Sequence, residues 1–302
     1  ACHALQDKAQ RQHHLDQAMS EALKAPGSER QTLLEGTRMR AARWLLDDRD
    51  AAASLNELEA LPPAAGRRMV AMRLQLKAAR LSGQPAKALE TAALLAKHKA
   101  FSPAAAQSLL SRLVLELIAH THDTEALQRT WQRLTAAQRL MPEVAAEAVL
   151  RWLKLGGAPQ MGRTWLQDLW VPLQSQHTQW SNEQRVKVVL ALDACLPDVD
   201  AQDALVWLSR LESAQQSQPR SAHLQYLAGM LCWRHHLWGK SQSLLGQAAK
   251  NLDSPVLQRK AWIALAELAE QRQDPVAAAH AWKQAAKSVS YTHLTLPTNR
   301  EV

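Results

Sequence analysis

The sequence predicts an all-α protein of stacked helix pairs, and three observations lead there. First, side chains recur at a fixed interval near the carboxyl end: Gly229 is matched by Ala266, Leu245 by Trp282 and Ala248 by Ala285, each thirty-seven residues on. An earlier stretch keeps a step of thirty-four, matching Arg43 with Lys77, Arg49 with Gly83, Leu55 with Leu89 and Asn56 with Glu90. Intervals of this size belong to helical solenoids, where each unit buries its apolar face against the next. Second, residues of high helix propensity dominate, and alternating β-branched runs are absent before the last dozen residues. Third, the breaks between apolar stretches carry helix-start chemistry at regular distances.

Residues 1–24 read as the remnant of a pair entered at its second helix, so further sequence is expected before Ala1. Helix pairs are then expected over 29–61, 65–98, 102–137, 142–174, 181–216, 221–250 and 255–287. Ser28 with Gln31, and Ser181 with Gln184, have the spacing of a capping box, in which each side chain satisfies a free backbone N–H. Ser102-Pro103, Ser254-Pro255 and Asp274-Pro275 set an N-cap oxygen before a proline at the first helical position. Pro85, Pro142 and Pro159 mark other starts, and Gly83, Gly156-Gly157 and Gly239 are placed in the turns. The stretch 171–200, with Pro172, Pro197 and a polar run from Gln174 to Gln179, is the least regular and predicts a bend or longer loop. Residues 1–287 thus read as one solenoid. The tail 288–302, with Tyr291-Thr292-His293-Leu294-Thr295-Leu296-Pro297, resembles translated adapter sequence and is expected to be poorly ordered.

A formal charge of +8, from 36 basic and 28 acidic side chains, favours anionic partners but is modest for 302 residues, and nucleic-acid binding is not expected. Cys2, Cys195 and Cys232 are far apart and form no C-x-x-C pair, which fits a reducing compartment. No stretch reaches the roughly 20 apolar residues that span a bilayer. Gly239-Lys240-Ser241 is not the end of a phosphate-binding loop, because Arg234 stands where the first glycine would be and no strand precedes it. The histidines do not form ligand sets: His13-His14 and His235-His236 are adjacent and diverge on a helix, as do His120 and His122. Neither H-E-x-x-H nor C-x-x-C-H occurs, so no metal or cofactor is predicted. For a haem contact, His235 or Cys232 beside Trp233 is the nearest candidate. No set of nucleophile, base and orienting group is legible, so an enzyme is not predicted.

The small residues Gly229, Ala248, Ala266 and Ala285, with the large Leu245 and Trp282, resemble the tetratricopeptide pattern. That resemblance implies a right-handed superhelix of antiparallel helix pairs, with small side chains at close crossings and large ones filling the gap to the next repeat. Three strings, Leu237-Trp238-Gly239-Lys240-Ser241-Gln242-Ser243-Leu244-Leu245, Arg73-Leu74-Gln75-Leu76-Lys77-Ala78-Ala79-Arg80 and His98-Lys99-Ala100-Phe101-Ser102-Pro103, are similar to the proteobacterial HemY family. These are tetratricopeptide proteins associated with haem biosynthesis. The resemblance implies a cytoplasmic solenoid behind two amino-terminal transmembrane helices at the inner membrane, with haem-pathway enzymes as partners and no catalytic residue. A tetratricopeptide adaptor for another envelope assembly process is the alternative, and a helical-repeat RNA binder a more distant one.

Arg73, Lys77 and Arg80 stand at i, i+4 and i+7 and project from one helix face. In tetratricopeptide arrays that face lines the concave groove. Arg43 lies one repeat earlier, and Arg151 with Lys154 falls on the corresponding face of a later unit, so the six predict a basic stripe for an acidic peptide tail or helix. No asparagine stands in the stripe, which argues against a clamp for a terminal carboxylate. Trp165, Trp207, Trp262 and Trp282 fall at core spacing. Trp233, with Tyr226 and Met230 on one face, is a candidate exposed anchor for a partner.

Overall fold

A computed structural model describes residues 8–175 and 178–288, apart from the side chains of Lys8 and Ser28. The expectation for the tail falls almost wholly on 289–302, outside the described residues. The protein is all-helical, with no β-strand among the described residues. It divides into two compact units, 1–117 and 118–302. Unit 1 holds α1 (Lys8–Lys24), α2 (Gly27–Asp47), α3 (Ala51–Glu59), α4 (Pro63–Gly66), α5 (Met69–Leu81), α6 (Pro85–Lys97) and most of α7 (Pro103–Ala119). Unit 2 continues with α8 (Thr124–Arg133), α9 (Ala136–Arg139), α10 (Pro142–Lys154), α11 (Pro159–Leu166), a 3-10 turn (Gln167–Leu169) and α12 (Trp170–Gln174). It closes with α13 (Asn182–Cys195), α14 (Ala204–Ser217), α15 (Ala222–Arg234), α16 (Trp238–Asn251), α17 (Pro255–Gln271) and α18 (Pro275–Lys287).

Helices adjacent in sequence pack on one another, as α2 on α3, α5 on α6, α15 on α16 and α17 on α18. The first helices of successive pairs also meet: α2 with α5, α13 with α15, and α15 with α17. One turn recurs between and within pairs. At Gly83 (φ +68°) the chain enters the left-handed region, the Gly83 N–H donates to the Arg80 carbonyl at 3.3 Å, and the Gln84 N–H donates to Ala79 at 2.9 Å. These bonds satisfy the carbonyls that a helix end leaves bare. The same bonds and a positive φ recur at Arg49, Lys99, Gly156, His236 and Gln273. Arg49 and Gly83 are one of the matched pairs in sequence, and His236 and Gln273 stand at the later step of thirty-seven.

Small residues set how closely paired helices cross. The Ser54 hydroxyl donates to the Ala42 carbonyl across α2 and α3 at 2.7 Å, and Ser241 to the Gly229 carbonyl across α15 and α16 at 3.1 Å. Both serines are fully buried, and so are Ala88 and Ala266 at equivalent repeat positions. A Cβ on Gly229 would lie 2.7 Å from the Leu245 Cγ and 3.2 Å from the Leu245 backbone nitrogen, so only glycine fits there without displacement.

The Ser181–Gln184 box forms, as do the starts at Pro85, Pro103, Pro142, Pro159, Pro255 and Pro275, although Ser254 stands at the N-cap before Pro255 without a side-chain bond to the first turn. Three expectations need correction. α2 begins at Gly27 with Pro26 in the N-cap position, ahead of the Ser28 box. Gly239 sits in the first turn of α16, because His236 supplies the left-handed residue. Trp282 is 41% exposed, with its Nε1 donating to the Glu270 carboxylate at 2.7 Å, because α18 turns Ala278, Ala281 and Ala285 inward instead. Trp165 and Trp207 are buried as expected, and Trp262 is half-buried. The Trp165 ring stacks on Trp131 at 4.7 Å and tilts against Trp152 at 5.2 Å. The segment 171–200 carries most of the short α12, all of α13 and the start of the non-helical connection from α13 to α14.

Two glycines of neighbouring helices separate packing from propensity. Gly229→Ala is expected to cost about 1–3 kcal/mol by overpacking, whereas Gly246→Ala in α16, with nothing within 4 Å of its Cβ, gains about 0.5–1 kcal/mol. Urea unfolding midpoints of the two variants check this, and shifts of the same sign would contradict the close crossing.

Candidate functional site

The predicted basic residues resolve into two environments. In unit 1, α5 buries Ala71, Met72, Leu76, Ala78 and Ala79 and leaves Arg73, Lys77 and Arg80 exposed on its other face. All three cations line a surface cavity of about 740 Å³. None of them forms an ion pair or hydrogen bond among the described residues. The left-handed turn at Lys99 brings Ala100 and the half-buried Phe101 to the same cavity, and Leu76, Leu81 and Glu116 complete it. Leu81, 61% exposed, and Phe101 put apolar surface beside three positive charges with one carboxylate. Such a surface suits an acidic segment carrying an apolar anchor. Arg43 is exposed on α2 but is not among the lining residues.

In unit 2 the predicted residues are largely committed to their own fold. The Arg151 guanidinium donates from Nε to the Thr121 carbonyl at 3.2 Å and from Nη2 to the same oxygen, so this residue staples a turn. Lys154 is exposed. The anchor expected from Tyr226, Met230 and Trp233 is corrected most sharply. Tyr226 is wholly buried and Met230 nearly so, while Trp233 is half-buried with its Nε1 enclosed and unpartnered. Helix α15 is buried from Leu224 to Cys232, because neighbouring helices cover more than one of its faces.

The reason Tyr226 turns inward is Asp193, only 1% exposed on α13. The Tyr226 hydroxyl donates to Asp193 Oδ2 at 2.9 Å, and Lys260 from α17 donates to the same oxygen at 2.8 Å. Arg234 donates to the Asp193 and Leu196 carbonyls, each at 2.7 Å. Burial, and then the adjacent Asp193 carboxylate, push the phenol well above its ordinary range. Arg163, itself buried, holds Asp203 with both Nε (2.7 Å) and Nη2 (2.5 Å), and donates to the Cys195 carbonyl at 2.6 Å. These are the polar links of the unit 2 core, and a buried charge left without its partner is costly.

Cys232 is fully buried, and burial pushes its thiol up. Burial likewise raises the Cys195 thiol to about 12. His235 lies at the end of α15 with its Nε2 enclosed and unpartnered. Among the described residues, no group of three or more His, Cys, Asp or Glu side chains is placed to hold a metal ion. Among them, too, no helix is long and apolar enough to cross a membrane. No family model matches the chain, and no curated protein matches it.

The cations of the α5 cavity are legible in the sequence, but its wall is not, because Phe101 is far from them along the chain and Lys99 carries no glycine-like signal for the turn that positions it. The buried polar network and the exposed cations respond differently to substitution. Tyr226→Phe is expected to cost about 1–3 kcal/mol by stripping a donor from a buried carboxylate, whereas Arg73→Ala stays within about 0.5 kcal/mol. Chemical denaturation of both checks this, and a large loss for Arg73→Ala would make it a structural residue.

Proposed function

We propose that the chain is a non-catalytic interaction scaffold of HemY type, a tetratricopeptide-like superhelix of antiparallel helix pairs that gathers haem-pathway enzymes at the bacterial inner membrane. The α5 cavity captures an acidic segment of one such enzyme. The observation that carries this reading is the set of three cations with no partner among the described residues, Arg73, Lys77 and Arg80, around a cavity walled by Phe101 and Leu81. The recurring left-handed turns and small-residue crossings support the repeat architecture, since the same local geometry returns at the steps of thirty-four and thirty-seven. The family link rests on the three strings similar to HemY, two of which supply residues to this cavity.

Exposed charges steer encounter and select partners more than they add affinity, so reversing them is the sharpest probe. The triple variant Arg73→Glu, Lys77→Glu, Arg80→Glu is expected to keep its helical content and unfolding midpoint. It should lose about tenfold in recovery of late haem-pathway enzymes from proteobacterial membranes. Equal recovery by both proteins moves the site elsewhere. Recovery of envelope-assembly proteins instead favours the other adaptor reading. Competition by free RNA, with affinity falling steeply in salt, would replace both with nucleic-acid binding.

A further inference from the structure

A second cavity, of about 630 Å³, lies in unit 2 where the start of α15 meets α12, α13 and the end of α14. Its volume falls within the range of small-molecule sites. Arg185 and Arg220 line it together with Asn182, Trp180, Ser221 and His223, and among the described residues no carboxylate does. Arg220 is exposed and has no partner among the described residues. Arg185 is half-buried, and its Nη1 donates to the Leu173 carbonyl at 2.7 Å. That bond orients the guanidinium and leaves further N–H groups for another acceptor.

The start of a helix adds to the charge, and an unpartnered imidazole stands beside it. Ser221 occupies the N-cap of α15 without a side-chain bond to the first turn, so the free N–H groups of that turn and the positive end of the helix dipole face the cavity wall formed by Ser221, Ala222 and His223. The His223 Nε2 is enclosed and has no hydrogen-bond partner among the described residues. Burial, then Arg185, hold this imidazole below its ordinary range, against the opposing pull of Asp253. Trp180, Pro219 and Ala222 supply an apolar wall beside these donors.

We propose that this cavity binds a small organic anion, with a phosphate or carboxylate head between Arg185, Arg220 and the start of α15 and a flat ring against Trp180. The inference is independent of the partner groove in unit 1. Titration calorimetry with phenyl phosphate, inorganic phosphate and phenol tests it on the full chain. Phenyl phosphate is expected to saturate one site, inorganic phosphate to bind at least about tenfold more weakly, and phenol to give no saturable heat. Arg220→Gln, whose fold is undisturbed because the side chain is exposed and unpaired, is expected to weaken phenyl phosphate about tenfold. Trp180→Ala, used only if its unfolding midpoint matches wild type, should bring phenyl phosphate close to inorganic phosphate. Unchanged affinity in Arg220→Gln, equal binding of phenol, equal binding of the two phosphates by wild type, or no saturable heat would each overturn the proposal.

Discussion

The close approach of two helices at a small residue governs most of what surrounds it. Where Ser54 meets the Ala42 carbonyl, and Ser241 that of Gly229, the backbones are near enough for a hydroxyl to bridge them. Interiors are packed to crystal-like density, so a contact this tight leaves little freedom in how the remaining side chains interlock. Leu245 fills the space that Gly229 leaves open, and a left-handed residue after the first helix sets the second on course. The faces turned inward are then decided, and with them the faces turned out. On α5 the outward residues are Arg73, Lys77 and Arg80, which makes the candidate groove a by-product of packing on the opposite side of the same helix.

Arginine and lysine serve two ends in this chain, and burial of the partner distinguishes them. Arg163, Arg234 and Lys260 reach buried carboxylates or helix-end carbonyls and tie unit 2 together. Asp193 is the centre of one such set, with a phenol and an ammonium on one oxygen. Exposed ion pairs such as Lys187 with Glu183 contribute little, since solvent screens them. Apart from Arg185, which donates to the Leu173 carbonyl, the cations of the two cavities fall in neither group. Arg73, Lys77, Arg80 and Arg220 have no partner among the described residues and also line a cavity, and the two together set them apart as candidate contacts for something outside the chain.

Helix starts were legible because their chemistry is local. Ser181 with Gln184, Asp274 before Pro275, and prolines at first helical positions act within a turn, and the structure uses them. The left-handed turns were legible at Gly83 and Gly156 but not at Arg49, Lys99, His236 or Gln273, where the backbone bonds of the turn carry a side chain that gives no hint. The aromatic anchor expected from Tyr226, Met230 and Trp233 failed for a tertiary reason. Helical spacing shows which residues share a face, but not that a second neighbour, bearing Asp193, covers that face too. The cavity beside Trp180 was invisible for the same reason, since Arg185 and Arg220 stand on different elements and meet only through the fold.

The claim on which the functional account rests is that the exposed face of α5 touches a partner. Photo-crosslinking from position 77, with a photoreactive residue in place of Lys77 and the exposed Lys250 position on α16 as control, tests this most directly in proteobacterial membranes. The account predicts one dominant adduct from position 77, joined through an acidic segment of a haem-pathway enzyme and absent from position 250. The same scatter of minor adducts from both positions would contradict it.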